Sequence, residues 1–407
     1  MVLNSADYFH LHRASLARRA AEAGWTVDVL AGDDGRARAR RQDTDNGDGA
    51  GDGDGAGGGG GAGGGGGVAV DTGDRPPHRL STVPLSRDRV APAADWRFAR
   101  AIAARSRSAD VVHLLTIKPV LYGLLSVAGG RRVVATHPGL GRVFDPPRTG
   151  LASTSRAKIV EAGLRRGYRR TGAVATFENA ADRDAFVARG IVPPGRAVAL
   201  AGAGLDLDAY PFRPPATRPD EATGRLRVLF ASRWLRRKGL DRVLELARLA
   251  RKGDLPLAVS VAGWAGPGDE DAVPGSQLEE AERRGEIALL GRVSDMPELL
   301  RSHDVLLAPS RLREGLPRVV LEAMAVGTVV VAPRTAATAA LIEDGASAVA
   351  PASDADATAL LDALATLADP VLRARLAGEA RRRVEAGGYG MEAIGDAFLA
   401  LYRGDAP

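Results

Sequence analysis

Two pairs of charged residues in the second half of the chain have the types and spacing to hold an anion joined to hydroxylated rings. Glu314 and Glu322 stand eight positions apart in REGLPRVVLEAMAVG, and Arg233 and Lys238 stand five apart in SRWLRRKGLD. Pro317 has no backbone donor to lose, which suits the first position of a helix. Leu321, Met324 and Ala325 then recur at helical spacing before Gly327 supplies a stop. This predicted helix puts Glu314 just ahead of its N-terminus and Glu322 inside it. The unpaired N–H groups and positive dipole end at that point favour an anion. Carboxylates beside such a site are suited to accept hydrogen bonds from hydroxyls. A ligand that joins a phosphate to hydroxylated rings, such as a nucleotide sugar, satisfies both halves. Taken alone, the stretch reads equally as an ordinary loop, helix and strand with two solvated glutamates.

The surrounding elements decide how such residues are positioned. RLRVLFAS reads as a strand, and Arg233 and Lys238 flank the strand-to-helix turn after it, with Gly239 opening the helix LDRVLELARLARKG. That is a phosphate-favouring position. LAVSVAG, IALLG, DVLLAPS and TVVVAP supply further strands with helical segments between them. The first half repeats the alternation: VLN is a very short strand, HLHRASLARRAAEAG a helix, and WTVDVLAG and STVPL strands. A helix over Asp95 to Arg105, the strand DVVHLLTI, a helix from near Tyr122 and the strand RRVVATHPGLG follow. Strand, helix and strand in alternation predict parallel sheets covered by helices on both faces. Ligands bind beyond the C-terminal strand ends of such sheets, where Lys118 and the turn from His137 through Gly139 to Gly141 would sit. For His137 taken alone, a structural role is the stronger reading.

At 407 residues the chain is long enough for about two to three domains. Proline enrichment and lost periodicity mark a linker over 211–224, between an N-terminal domain over 1–210 and a C-terminal domain over 225–386. A last helical segment over 387–407 could pack on either. Residues 43–67 are almost wholly Gly, Asp and Ala and read as a flexible insertion, since they bury too little apolar surface to offset ordering. Cysteine is absent, which excludes disulfides and thiolate metal sites. No apolar run spans a bilayer and no basic-then-apolar leader opens the chain, so a cytoplasmic location is expected. The formal charge is +5, and only four of the 55 basic residues are lysine: Lys118, Lys158, Lys238 and Lys252. A retained lysine points to a need for a compact, flexible charge. Residues 155–170 set Lys158, Arg165, Arg166, Arg169 and Arg170 beside an apolar stripe. This is either a solvated basic face or a surface for anionic lipid headgroups or a diphosphate.

These motifs together resemble the retaining glycosyltransferases of family 4, whose GT-B fold is two Rossmann-like α/β domains facing across a cleft. The Arg233 and Lys238 pair, VSDMPELL, APS and REGLPRVVLEAMAVG carry the C-terminal likeness. NSADYFHLHRASLARRAAEAGWTV, DVVHLLTIKPVLYG, GLGRVF and FENAADRDAF look like the subgroup that extends polyprenyl-diphosphate-linked saccharides. The resemblance implies a metal-independent, cofactor-free hexosyl- or N-acetylhexosaminyl-transferase that uses a nucleotide sugar, with UDP favoured. Arg233 and Lys238 would neutralise the departing diphosphate, Glu314 would orient the transferred sugar, and Glu322 would accept from the ribose hydroxyls. Gly315 and Leu316 would offer amides to phosphate, and Arg318 would compensate for the amide that Pro317 lacks. Thr116, Lys118 and His137 would stand on the acceptor side. Alanines occupy RTAATAALIEDG where the family carries a glycine-bearing turn ending in glutamate. The competing readings are a GT-B epimerase or phosphorylase and a non-catalytic nucleotide-sugar-binding protein. A nucleic-acid binder lacks any reader motif.

Overall fold

A computed structural model describes residues 1–33, 78–86, 89–141, 144, 151–215, 224–253, 255–266, 269, 271–312 and 314–405. The Gly/Asp-rich stretch 43–67 and residues 216–223 of the expected linker lie outside the described residues. The chain divides into two compact units, Met1–Arg131 and Arg132–Pro407.

The first unit runs β1 (Val2–Leu3), α1 (Ala6–His12), α2 (Ala14–Glu22), β2 (Val27–Asp33), β3 (His78–Pro84), α3 (Pro92–Ser106), β4 (Val111–Leu115) and α4 (Ile117–Ser126). Its strands are parallel in the order β3-β2-β1-β4. The two-residue β1 is central all the same, because Val2 pairs with both Leu30 and Leu114. The single helix expected after it is two. Arg13 leaves the helical region at φ −134° and ψ −4°, and the Ser5 hydroxyl caps α1 by accepting from the Tyr8 amide.

The second unit begins with β5 (Arg132–His137), α5 (Leu151–Thr171), β6 (Val174–Phe177), α6 (Ala180–Ala188) and β7 (Ala197–Ala199), with β6 pairing both other strands. There follow β8 (Leu226–Ala231), α7 (Leu240–Lys252), β9 (Leu257–Ala262), α8 (Gly275–Arg283) and β10 (Ala288–Gly291). The rest is α9 (Met296–Arg301), β11 (Val305–Leu307), α10 (Arg318–Val326), β12 (Val329–Val331), α11 (Ala357–Ala365), α12 (Pro370–Ala386) and α13 (Met391–Arg403). These strands form a five-stranded parallel sheet, β10-β9-β8-β11-β12. The order reverses between β8 and β11, and that switch point is where a crevice opens beyond the strand ends.

Strand alternation builds the two faces of this sheet. Val305, Leu307, Val329 and Val331 pack with Leu240, Val243 and Leu246 of α7 and Leu360 of α11. Leu306 and Val330 point the other way, onto Val320, Leu321 and Met324 of α10. Each such fully buried side chain contributes about 1.5–3 kcal/mol, so the ends of β8, β11 and β12 are rigid supports. The C-terminal helix α13 lies against β5, with Arg132 Nη1 donating to the Leu401 carbonyl at 3.4 Å. Among the described residues, no helix is long and apolar enough to cross a membrane.

Candidate functional site

Beyond the C-terminal ends of β8, β11 and β12 lies a cleft of about 490 Å³, counting its open mouth. Lys238, Ser310, Glu314, Pro317, Thr335 and Thr338 are among the residues that line it. After β8 the chain makes a single tight turn, Arg236–Lys238, and enters α7 through Gly239 at φ +86°. Only glycine suits this position, because a Cβ there would run into the Pro309 carbonyl. Arg242, one turn further on, donates to that same carbonyl and to the Ala355 carbonyl at 2.6 Å, which fixes the turn after β11. Lys238 is thereby brought to Glu314: Nζ to Oε2 is 2.5 Å, and the Ser310 hydroxyl donates to Glu314 Oε1 at 3.2 Å.

Arg233, the second expected cation, is 49% exposed and pairs with Asp269 at 3.7 Å. Arg237 shares Asp269 at 3.4 Å and reaches Asp271 at 3.4 Å. Sequence reasoning did not single out these aspartates, because the loop that carries them has no periodic pattern. Pro317 also falls one place earlier than expected. It is the N-cap, at φ −73° and ψ 103°, and the helix starts at Arg318.

The amides ahead of α10 already have a carboxylate beside them. Leu316 N–H donates to Glu178 Oε2 at 3.3 Å. A Cβ on Gly315 would collide with the Pro138 carbonyl and lie 2.6 Å from Glu178 Oε2, while one on Gly139 would lie 3.0 Å from the Gly315 nitrogen. The loop after β5 therefore meets the Glu314–Leu316 loop backbone to backbone, and the loop after β6 reaches it through the Glu178 carboxylate, which explains the glycines. Glu178 was missed as a site residue; its signal was its place at the C-terminal end of β6 in FENAADRDAF.

Glu322 is almost buried, at 6% exposure. Its Oε1 accepts from the Tyr210 hydroxyl at 2.8 Å and from Arg318 Nε at 2.7 Å. Burial, with the Glu322 carboxylate alongside, pushes the Tyr210 phenol well above its ordinary pKa, so it stays a donor. His137 is buried between Phe177 and Phe186, with ring centroids 5.2 and 4.8 Å away, and its Nε2 lies 2.6 Å from the Tyr168 hydroxyl. Burial lowers its pKa to about 3 and keeps it neutral. Gly141, in the turn that follows, has φ +69°.

In the first unit, Thr116 caps α4 with φ 71° and ψ 160°, and its buried Oγ1 has no partner among the described residues. Lys118 lies in the first turn of α4, where the helix begins earlier than expected. Its Nζ donates to the Ser86 and Arg89 carbonyls at 2.6 Å each and pairs with Asp95 at 3.3 Å, which ties the loop before α3 to α4.

The alanine-rich turn after β12 needs no left-handed residue: none of residues 334–340 has a positive φ. The Thr338 hydroxyl accepts from the Thr335 amide at 2.8 Å and donates to the Pro333 carbonyl at 2.7 Å, closing the turn that glycine was expected to make. On α5, Arg165 folds inward to Glu161 at 2.6 Å and the Arg189 carbonyl at 2.8 Å. Lys158, Arg166, Arg169 and Arg170 remain exposed beside Ile159, which is 71% exposed.

Residues 225–369, which carry the β8–β12 sheet and its cleft, match the family Glycosyl transferases group 1. Among solved structures, HepE of Anabaena in complex with UDP superposes with a TM-score of 0.69 at 16% identity, covering 99% of this chain and 98% of that one. Sucrose-phosphate synthase from Thermosynechococcus elongatus gives 0.70 at 18%, covering 99% and 97%. WaaG, a glycosyltransferase involved in lipopolysaccharide biosynthesis, gives 0.66 at 16%, covering 99% and 100%. No curated protein sequence matches the chain. The fold is GT-B, with two Rossmann-like α/β sheets. Fold and family match together support a glycosyltransferase that uses a nucleotide sugar.

Proposed function

We propose that this chain is a family 4 retaining, metal-independent hexosyl- or N-acetylhexosaminyl-transferase that moves a sugar from a UDP-sugar to a polyprenyl-diphosphate-linked saccharide at the cytoplasmic membrane face. The observation that carries the donor half is the Lys238 and Glu314 pair at the mouth of the β8–β11 switch point. In this reading a diphosphate takes Glu314's place beside Lys238, a charge-assisted exchange that leaves the carboxylate free to accept from the sugar's hydroxyls. UDP is favoured because HepE, a neighbour of the same fold, was crystallised with UDP-glucose. The test is a thermal-shift screen with UDP-, GDP- and dTDP-sugars. The expected result is stabilisation by UDP-sugars, with RT ln(1 + [L]/Kd) setting its size. Stabilisation by none of them removes the donor reading.

The acceptor half rests on the exposed face of α5. Four basic side chains beside a protruding isoleucine match an anionic lipid surface, where each charge contributes about 1 kcal/mol. The partition constant onto vesicles containing anionic lipid, measured by co-sedimentation, should fall by roughly 100-fold when Arg166, Arg169 and Arg170 are changed to glutamine. Arg165→Gln should have little effect, because that side chain is folded onto Glu161. Equal partition onto neutral and anionic vesicles would remove the membrane reading.

A further inference from the structure

Both groups expected to meet phosphate, the Lys238 ammonium and the Leu316 amide, are held by the chain's own carboxylates. Glu314 Oε2 lies 2.5 Å from Lys238 Nζ, and Glu178 Oε2 accepts from the Leu316 N–H at 3.3 Å. The two contacts are neighbours, since Leu316 follows Glu314 by two residues in the same loop. A phosphate oxygen can replace a carboxylate oxygen as the acceptor from either group. A diphosphate joins two such anionic groups through one bridging oxygen and can take both places at once.

In the second contact, the carboxylate is the partner that can move. The Leu316 side chain packs so tightly on Gly202, at φ +78°, that a Cβ there would lie 2.8 Å from Leu316 Cδ2. The backbone just before it is pinned as well, because a Cβ on Gly315 would collide with the Pro138 carbonyl. The Leu316 amide therefore keeps its direction. Glu178 is half-buried and reaches that amide from the C-terminal end of β6 on a flexible side chain.

We propose that Glu178 is an autoinhibitory carboxylate: with Glu314 it fills the anion site of the free protein, and a nucleoside diphosphate must displace it from the Leu316 amide to bind. This deepens the proposed function and rests on its donor half. Exchanging carboxylate for phosphate on the amide changes the hydrogen bonding little. The repulsion between a displaced Glu178 and the bound phosphate, by contrast, arises only in the complex, so the carboxylate limits donor affinity. Removing its charge lifts that opposition without removing any donor group from the site.

The experiment measures dissociation constants of UDP, GDP and ADP for the full chain by calorimetry, in the wild type, Glu178→Gln and Glu178→Ala. Glutamine keeps the shape and an acceptor oxygen for the Leu316 amide but carries no charge. It should tighten binding of the preferred diphosphate by about tenfold at low salt, with a smaller gain at high salt. Alanine also removes the competing acceptor and should gain at least as much. A merely structural strut would behave oppositely, because its loss loosens the loop and weakens binding. Either variant that folds decides the matter: unchanged or weaker binding overturns this inference alone and leaves the donor reading standing. Binding of none of the three diphosphates by the wild type or by either variant overturns the donor reading and this inference with it.

Discussion

Lys238→Ala is expected to lower kcat for sugar transfer by about 10²- to 10³-fold, with a smaller change in KM. The reason lies in when the charge matters. A nucleoside diphosphate bears more charge as it departs than as part of the intact donor, so a fixed cation stabilises the transition state more than the ground state. Lys238 is placed for this by the one-turn link after β8 and by Gly239, which lets the backbone pass under the Pro309 carbonyl. Lys238→Arg should recover part of the loss, because it restores charge but replaces a compact ammonium with a planar fork. Removing the lysine also leaves Glu314 with Ser310 as its remaining side-chain partner among the described residues. A melting temperature close to wild type would show that the kinetic loss is not unfolding. Unchanged turnover would remove Lys238 from the mechanism.

The second sheet was legible because its strands are continuous apolar runs. RLRVLFAS, DVLLAPS and TVVVAP became β8, β11 and β12, and the residues just past their ends became the cleft. Helix ends marked by glycine were also readable: Gly327 stops α10 at φ +87°, as its lack of a Cβ allows. Contacts that depend on tertiary approach were not. Nothing local tells that Glu178 reaches the Leu316 amide 138 residues away, or that Tyr210 reaches Glu322. The turn after β12 misled for a related reason. Alanine signals the loss of a left-handed residue, but a threonine hydroxyl three places on from Thr335 supplies the closing hydrogen bonds instead. Lys118 shows the limit of reasoning from residue type, since a lone retained lysine at a strand end is here held by two carbonyls and Asp95.

Acid should destabilise the second unit through His137, and His137→Gln should remove that dependence. The imidazole is 1% exposed between two phenylalanine rings; Nε2 faces the Tyr168 hydroxyl and Nδ1 has no partner among the described residues. No carboxylate accompanies it in these contacts, and burial alone accounts for the fall of its pKa to about 3. The unfolded chain takes up this proton near pH 6.5 and the native protein does so only near pH 3. Between those values the unfolded state binds more protons, so stability rises with pH and is lost as pH falls below 6.5. The slope is about 1.4 kcal/mol per pH unit, or roughly 2 kcal/mol by pH 5. Glutamine can keep a hydrogen bond to Tyr168 and does not titrate. At pH 7.5 it should cost about 1–2 kcal/mol for its poorer fit among the aromatic rings. The deficit should then shrink on acidification and vanish or reverse near pH 5, because all other acid effects are common to both proteins. Denaturant melts at pH 7.5, 6.0 and 5.0 measure the difference, and parallel curves for the two proteins would exclude His137 as the source of acid sensitivity.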